Sequence, residues 1–291
     1  HSLVGSEMCI RDRAIAGQLA DEGCDVMLTS RDARQLAATQ AELLQTATGR
    51  VEYHPCDITS ADEIDALVKA TRQRLGPIDI LINNAGGPPG GGFDVHDDTV
   101  WQMAFELNLL SYVRMIRAVL PDLKIKGGRI INITSSSIKQ PIPSLILSNV
   151  YRMGLLGLGK SLAEELAPDN ILVNTVGPGR IATDRTVYLD QLKADKRGIS
   201  REEIKAESLR NIPLKRYGDP VEFARVVAFL ASEASSYVTG ASIMVDGGMV
   251  KAFCWLYFNL HFLLHLLVSP ELKCYNSQDC LTLIWSEGDM I

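Results

Sequence analysis

The sequence of 291 residues lacks several features that would point to particular classes of protein. It has no block of Lys or Arg and a formal net charge of -6, so we expect neither a nucleic-acid partner nor an anionic membrane surface as its target. Its six cysteines include no CxxC pair, which predicts reduced thiols in a cytoplasmic protein and no metal centre. A small-molecule site fits this composition better.

The start of the chain lacks what a secretory leader needs, a basic stretch followed by an apolar run and a small-residue cleavage site. The string SLVGSEMCIRDR resembles translated sequencing-adapter sequence, and we interpret residues 1–13 as a leader that replaced the original start. This segment does not give a complete strand and turn, although SLVG could supply about four residues of a central strand.

The end of the chain lacks an apolar run long enough to cross a membrane. The run FCWLYFNLHFLLHLLV has 16 residues, whereas a spanning helix needs roughly 20. Composition also changes here, because residues 253–291 hold two of the three Trp and three of the six Cys. We therefore predict no membrane span and interpret residues 253–291 as an extraneous hydrophobic tail on a domain of residues 14–252.

Between these ends, short apolar runs alternate with helical patterns, which predicts βα units of one α/β domain with a Rossmann-type, doubly wound parallel sheet. Runs such as IDILIN and ILVNTV are apolar almost throughout, as expected for strands covered on both faces. We expect the first strand to be truncated or replaced. The others are predicted at residues 25–29, 50–55, 78–83, 129–134, 170–176 and 241–245.

In such sheets, ligands bind beyond the carboxyl ends of the strands, so the residues after each strand are candidate binding residues. Ser30 and Arg31 follow one predicted strand, and a guanidinium there can hold the 2'-phosphate of NADP. A solvated Arg at a helix start is an equally good interpretation. Asp57 follows the next strand and could accept a hydrogen bond from an adenine amino group, or simply cap a turn.

Small residues follow two further strands. The string Asn83-Asn84-Ala85-Gly86 lets a backbone approach a flat ligand closely, and its amides can also tie neighbouring strands. A turn is predicted after the strand at 170–176, and the hydroxyl and backbone amides beyond it could hold a carboxamide. The candidates of that turn are Pro178, Gly179, Ile181 and Thr183.

Several strings in a fixed order and spacing resemble the short-chain dehydrogenase/reductase family, in particular its 3-oxoacyl-(acyl carrier protein) reductase type. They are NNAG at 83–86, Asn108, NITSS at 132–136, GLGKSLAEELAPDNILVNTVGPG at 157–179 and VTGASIMVDGG at 238–248. The resemblance covers residues 14–252. It implies NADP or NAD as hydride carrier, a small carbonyl or alcohol substrate and a homotetramer.

The same resemblance implies roles for the cofactor-binding candidates. Asp57 would meet the adenine, residues 84–86 the adenosine ribose region, and Ile181 and Thr183 the nicotinamide amide. The segment from Asp184 to Arg216 would be the variable substrate lid, and it carries no chemistry that names the substrate.

The chain departs from the family at its start, where the family has a strand and TGxxxGxG. In register, these glycine positions fall on Ser6, Ile10 and Asp12, and Asp12 would direct a negative charge toward the phosphates. We therefore expect weak dinucleotide binding and a damaged sheet centre.

A second departure lies at the catalytic positions. The family uses a Ser to hold the substrate oxygen, a Tyr to transfer its proton and a Lys four residues later. This Lys lowers the pKa of the Tyr and holds the nicotinamide ribose, so the residue at its position is also a cofactor-binding candidate. Ser135 takes the first of these positions, Ser148 that of the Tyr and Arg152 that of the Lys. A serine hydroxyl ionises far above the phenol value of about 10, and Arg152 cannot act as a tunable ammonium.

Two other residues are candidates for catalysis. Tyr151 lies three residues after Ser148 and could supply the proton, or it could pack beside the substrate site. Asn108 could position a water or brace its helix. The leading hypothesis is an NADP-preferring oxidoreductase in which Ser135 and Ser148 polarise a carbonyl oxygen. The alternative is a nucleotide- or metabolite-sensing homologue that has lost proton transfer.

Overall fold

The computed structural model describes residues 2–4 and 10–252, and the centre of the fold formed by these residues is a parallel sheet of seven strands. Each strand predicted from the sequence overlaps an observed one. The strands are β1 (Ser2–Val4), β2 (Val26–Leu28), β3 (Val51–Tyr53), β4 (Ile80–Asn83), β5 (Gly128–Ile133), β6 (Ile171–Pro178) and β7 (Ser242–Val245). The interpreted tail at 253–291 lies outside the described residues.

The order of the strands confirms the doubly wound topology. Neighbouring strands follow the order β3-β2-β1-β4-β5-β6-β7, and every pairing is parallel. The chain thus builds one half of the sheet outward from β1, returns to the centre and builds the other half from β4. The switch between β1 and β4 is where open α/β sheets bind their ligands.

Helices connect the strands and cover both faces of the sheet. They are α1 (Ile10–Asp21), α2 (Ala33–Leu43), α3 (Ala61–Arg74), α4 (Asp98–Phe105), α5 (Ser111–Lys126), α6 (Ile146–Glu165), α7 (Asp184–Arg197), α8 (Arg201–Asn211) and α9 (Pro220–Ala231). None of the helices within residues 10–252 is long and apolar enough to cross a membrane.

The segment interpreted as a leader supplies some of this fold. Ser2–Val4 pairs with both β2 and β4, with Leu3 opposite Met27 and Leu81. The strand is short, as expected, yet both of its neighbours hydrogen-bond to it over its whole length. The helix α1 also begins inside the segment, at Ile10. Among the described residues the sheet is continuous across β1, and the expected damage at the sheet centre stays a prediction.

Two apolar clusters lie on the two faces of the sheet, because consecutive strand residues point to opposite sides. Leu81 and Ile130 pack with α3, α5 and α6 on one face. Ile82 and Ile131, the next residue of each strand, pack with α1, α2 and α9 on the other. This arrangement explains why these strands are apolar along their whole length.

The end of β6 differs from the sequence-based expectation. The sequence predicts that this strand ends at residue 176, with a turn beginning at Gly177, but the strand continues to Pro178. Pairing with β7 is the reason, because Gly177 and Pro178 lie opposite Met244 and Val245.

A pair of glycine substitutions tests the packing at the sheet and at the helix surface. Gly127 ends α5 with φ of +88°, and a Cβ there would lie 2.6 Å from the carbonyl oxygen of Asn170. We expect Gly127→Ala to lower the free energy of unfolding by about 1–3 kcal/mol. Gly157 of α6 is exposed and a Cβ there meets no atom within 4 Å. Gly157→Ala should therefore raise that free energy by about 0.5–1 kcal/mol.

Urea unfolding of both variants and of the unchanged chain measures the two differences. Equal effects of the two substitutions would contradict this description of the backbone at Gly127.

Candidate active site

The carboxyl ends of β4 and β5 bring predicted site residues to one edge of the sheet. Ala85 and Gly86 follow β4, and Ser135 follows β5. The two strand ends are linked by their last side chains, since Asn83 Nδ2 donates to Asn132 Oδ1 at 3.0 Å. This amide pair is the strand tie that the NNAG string allowed, and it holds the two loops next to each other.

The side chain of Arg152, in α6, extends to the same edge of the sheet. Its Nη2 donates to the carbonyl oxygens of Ala85 at 3.0 Å and Gly86 at 3.3 Å. Its Nη1 donates to the carbonyl oxygen of Ile133 at 3.2 Å. The side chain is only 5% exposed, so its charge lies inside the protein next to the loops that carry the predicted cofactor and substrate contacts.

The two candidate serines lie at the ends of neighbouring elements. Ser135 caps the 3-10 turn Ser136–Ile138, where its Oγ accepts a hydrogen bond from Ser137 N at 3.2 Å. Its hydroxyl hydrogen is not used in this bond, so it can still be donated to a substrate oxygen. Ser148 is the third residue of α6 and is half-buried, one turn before Arg152. Ser148 thus shares α6 with Arg152, and Ser135 lies two residues after Ile133, whose carbonyl oxygen accepts from Arg152.

The geometry favours the packing interpretation of Tyr151 over the catalytic one. Its Oη donates to the carbonyl oxygen of Trp101 at 2.9 Å. Its ring contacts Trp101 edge-on, with the centroids 5.9 Å apart, and packs beside Phe105. Burial raises the pKa of the Tyr151 phenol, which makes it a weaker acid. A hydroxyl held in this way by α4 is poorly placed to deliver a proton.

Asn108 lies in a π-helical turn, Glu106–Leu110, that joins α4 to α5. It is fully buried, and its Nδ2 donates to the carbonyl oxygen of Ala104 at 3.0 Å. Its Oδ1 is buried with no hydrogen-bond partner among the described residues. The amide thus braces the helix, in agreement with one of its two interpretations, and keeps one acceptor for a water or ligand.

The side chain of Asn84 is turned toward α1. Its Nδ2 donates to Asp12 Oδ1, and its Oδ1 accepts from Arg11 Nη2 at 3.0 Å. The carboxylate of Asp12 is fully buried against this amide. We expected the carboxylate of Asp12 to point toward the phosphates. In the structure it accepts a hydrogen bond from Asn84 instead. Ser6, another of the expected glycine positions, lies outside the described residues.

The predicted adenine side of the site lies beyond β2 and β3. Asp57 Oδ1 accepts from the backbone N and the hydroxyl of Thr59, at 2.9 and 2.7 Å. These bonds lower the pKa of Asp57, which is also lowered by the charge of nearby Arg31. Arg31 is exposed, whereas Ser30 is buried and its Oγ accepts from Asp32 N at 3.3 Å. A guanidinium and a carboxylate thus lie close enough to interact electrostatically beyond β2 and β3.

Packing within the sheet explains two residues that were predicted to contact a cofactor. Pro178 belongs to β6, and Gly179 N donates to the carbonyl oxygen of Val245 at 2.9 Å. A Cβ on Gly179 would lie 2.5 Å from the Cβ of Asp246. The glycine is therefore required by close approach to the segment after β7, whether or not a ligand also lies there.

Ile181 and Thr183 lead from β6 into α7. Thr183 caps α7, with its Oγ1 accepting from Thr186 N at 3.4 Å. Thr186 Oγ1 donates to the carbonyl oxygen of Ile181 at 2.6 Å, and Ile181 forms an isolated bridge with Gly218. Both predicted residues are buried at the start of the segment predicted to be a lid, and their hydrogen bonds hold its backbone.

Two polar anchors were missed by sequence reasoning. The hydroxyl of Tyr112, in α5, accepts from Ala85 N and donates to the carbonyl oxygen of Ile133. From the sequence alone, Tyr112 would be taken as an ordinary aromatic residue of the core. Asp190 of α7 is 2% exposed and accepts from Arg180 Nη1 and from Tyr217 Oη, the latter at 2.7 Å. Asp190 thus ties the predicted lid to the end of β6. No local sequence signal marks either residue.

The parallel sheet, its switch between β1 and β4, and the polar residues beyond its carboxyl edge define a dinucleotide-binding α/β protein. The described residues fit the adenine and ribose portions of such a ligand, through Asp57, Arg31 and the small residues Ala85 and Gly86. The region that would face the pyrophosphate includes residues 5–9, which are not described.

Comparison with known proteins identifies the family. A family model described as enoyl-(acyl carrier protein) reductase matches residues 13–250. Dehydrogenase/reductase SDR family member 4 of Sus scrofa is 38% identical over 242 residues, covering 81% of each chain. The chain belongs to the short-chain dehydrogenase/reductase family.

Solved structures agree with this assignment. A variant of actinorhodin polyketide ketoreductase, determined with NADPH, has a TM-score of 0.81 and 33% identity, covering 85% of this chain and 96% of that one. A short-chain oxidoreductase from Pseudomonas aeruginosa has a TM-score of 0.79 and 30% identity, covering 87% and 97%. That protein was determined with NADPH and is described as containing an atypical catalytic centre.

The cysteine beside Asp57 offers a test of burial at this edge of the cleft. Cys56 is 1% exposed, and burial raises the pKa of its thiol to about 12. Because the thiolate is the reactive form, we expect Cys56 to resist iodoacetamide in the folded protein near neutral pH and to react after unfolding in urea. Mass spectrometry of the Cys56 peptide measures both. Rapid alkylation of the folded protein at this residue would contradict the buried placement.

Proposed function

We propose that this chain is an NADP(H)-dependent oxidoreductase that interconverts the carbonyl and alcohol forms of a small molecule, with Ser135, Ser148 and Arg152 as its atypical catalytic residues. The observation that carries the proposal is the buried charge of Arg152, which follows Ser148 by one turn of α6 and bonds to the carbonyl oxygen of Ile133, two residues before Ser135. The NADPH in both solved relatives supports the choice of cofactor.

NADP(H), when bound, supplies the hydride that adds to the carbonyl carbon or receives the hydride that leaves the alcohol. The protein's own contribution is electrostatic. Ser135 and Ser148 donate hydrogen bonds to the substrate oxygen, and the buried cation of Arg152 favours the negative charge that develops there. Neither serine ionises near neutral pH, so water supplies the final proton.

The atypical centre reported for the Pseudomonas aeruginosa relative supports the view that this fold carries out oxidoreductase chemistry with altered catalytic residues. A second function is favoured by one observation, the engagement of all terminal N–H groups of Arg152 with the protein. A site built in this way also suits a protein that binds the nucleotide without turnover, as a sensor or scaffold.

Substitutions of the two serines distinguish the oxidoreductase from the non-catalytic nucleotide-binding protein. We expect Ser135→Ala and Ser148→Ala each to lower kcat roughly a hundredfold, with little effect on the Kd for NADPH, because each removes a hydrogen bond to the developing oxyanion. NADPH oxidation over a panel of ketones and aldehydes measures kcat, and fluorescence titration measures Kd. Ser161→Ala, on an exposed face of the same helix as Ser148, is the control.

Full activity of Ser148→Ala would remove Ser148 from the mechanism. NADPH binding by the unchanged chain without oxidation over the whole panel would favour the non-catalytic function.

The choice between NADP and NAD depends on Arg31. If its guanidinium holds the 2'-phosphate, Arg31→Ala should weaken NADPH binding by about tenfold or more and leave NADH binding unchanged. Arg34→Ala, another exposed arginine at the start of α2, is the matched control. Titration of both cofactors measures the ratio. An equal loss for NADPH and NADH would exclude the phosphate contact.

A further inference from the structure

The helix that carries Ser148 begins without a side-chain cap of its own. The residue before α6 is Leu145, whose apolar side chain cannot accept a hydrogen bond from the first turn. The first N–H groups of a helix have no carbonyl partner within the helix, so they need partners from outside. Ser148 lies in this first turn, and its hydroxyl makes no hydrogen bond among the described residues. The place of that hydroxyl is therefore set by the groups that hold the start of α6.

The side chain of Asn149, directly after Ser148, bonds to the loop that leads into α6. Its Oδ1 accepts from Ile142 N at 3.1 Å, and its Nδ2 donates to the carbonyl oxygen of Ile142 at 3.0 Å. One amide thus bonds to both backbone groups of a single loop residue. On either side of Ile142 stand Pro141 and Pro143, which have no N–H to donate. Asn149 therefore fixes this part of the loop against the first turn of α6.

The loop after β4 holds the remainder of the same segment. Gly91 N donates to the carbonyl oxygen of Ser144 at 2.8 Å, and Ile146 N donates to the carbonyl oxygen of Gly91 at 3.3 Å. Ser144 has a φ of +58°, in the left-handed region that a serine seldom adopts, so its conformation needs support from its surroundings. Gly91 on one side and Asn149 on the other supply that support.

We propose that Asn149 is a positioning residue for Ser148. By bonding both backbone groups of Ile142, its side chain fixes the start of α6 and with it the place of the Ser148 hydroxyl. The action of that hydroxyl on a substrate oxygen rests on the proposed function. Asn149 acts through Ser148 and not through Ser135, whose hydroxyl has its own bond to Ser137 N at 3.2 Å.

A second asparagine provides a matched control. Asn174 of β6 also bonds to two backbone groups, since its Nδ2 donates to the carbonyl oxygen of Val238 at 2.7 Å and its Oδ1 accepts from Ala241 N at 3.0 Å. It is 2% exposed. Asn174→Ala should therefore lower the melting temperature without releasing the loop before α6.

The first experiment measures hydrogen exchange of the Ile142 amide in the full chain without cofactor. Asn149→Ala removes the acceptor of this amide, and we expect its exchange to become at least tenfold faster. Asn149→Asp keeps an acceptor at the same place and should retain most of the protection, whereas Asn174→Ala should retain all of it. Unchanged exchange in Asn149→Ala, or equally fast exchange in Asn149→Asp, would overturn the role of the side chain.

The second experiment observes position 148 itself, again without cofactor. In a Ser148→Cys chain, alkylation of the new thiol by iodoacetamide reports how firmly the first turn of α6 is held, because the reagent needs access to the thiolate. We expect added Asn149→Ala to raise the alkylation rate about tenfold and added Asn174→Ala to leave it unchanged. Mass spectrometry of the peptide measures the rate. Equal rates with and without Asn149→Ala would overturn the positioning of Ser148.

The third experiment connects this position to the reaction. We expect Asn149→Ala to lower kcat about tenfold in the unchanged chain and to have little further effect in Ser148→Ala, because both changes act on the same hydroxyl. The Kd for NADPH should change little in either background. Multiplicative losses of kcat would show that Asn149 acts independently of Ser148 and would overturn the proposal.

These outcomes distinguish the two proposals. Absence of NADPH oxidation by the unchanged chain over the whole carbonyl panel would refute the proposed function. Faster exchange at Ile142 together with faster alkylation at position 148 would still support the positioning of Ser148 by Asn149.

Discussion

The buried positive charge of Arg152, which has no carboxylate partner among residues 10–252, is the constraint on which the site depends. Within the part of the chain that the structure describes, the acceptors of Arg152 are all uncharged, and most of them are backbone carbonyls at the ends of β4 and β5. Those carbonyls reach one guanidinium because the two strands are adjacent and in register, with Asn83 opposite Asn132. The packing of the sheet on both faces thus fixes the electrostatics of the site, and a shift of either loop would leave the N–H groups of the guanidinium without acceptors.

The fold could be predicted from the sequence because apolar strands alternate with one or more amphipathic helices from β2 onward. Ser135, Ser148 and Arg152 could be aligned because the strings around them keep their spacing. The partners of these residues could not be predicted. Asn84 contacts Asp12, which lies 72 residues away, and Tyr112 contacts Arg152 across 40 residues. Such contacts depend on which elements are neighbours in space, and local patterns carry no information about that.

Several residues that the sequence predicted to contact a ligand or substrate have a structural role in the protein itself. Gly179 allows the close approach of Asp246, Thr183 caps α7, and the hydroxyl of Tyr151 bonds to the backbone of α4. The reason is general to strand ends. Small and polar residues are needed there to satisfy the backbone where a strand turns into a helix, and the same residue types suit a ligand. Residue type alone therefore cannot distinguish the two roles at these positions.

Ser148 and Arg152 replace the Tyr and Lys of the family pattern, and the second replacement is compatible with the first. In the family pattern, the lysine lowers the pKa of the tyrosine, so its own ionisation matters. Ser148 has no phenol pKa to lower, which removes the need for a tunable ammonium at position 152. A permanent guanidinium keeps the positive charge, and its wider set of donors can bond Tyr112 and three backbone carbonyls. Under the proposed function, a site built in this way would act through fixed charge and oriented hydrogen bonds, and proton transfer would be left to water.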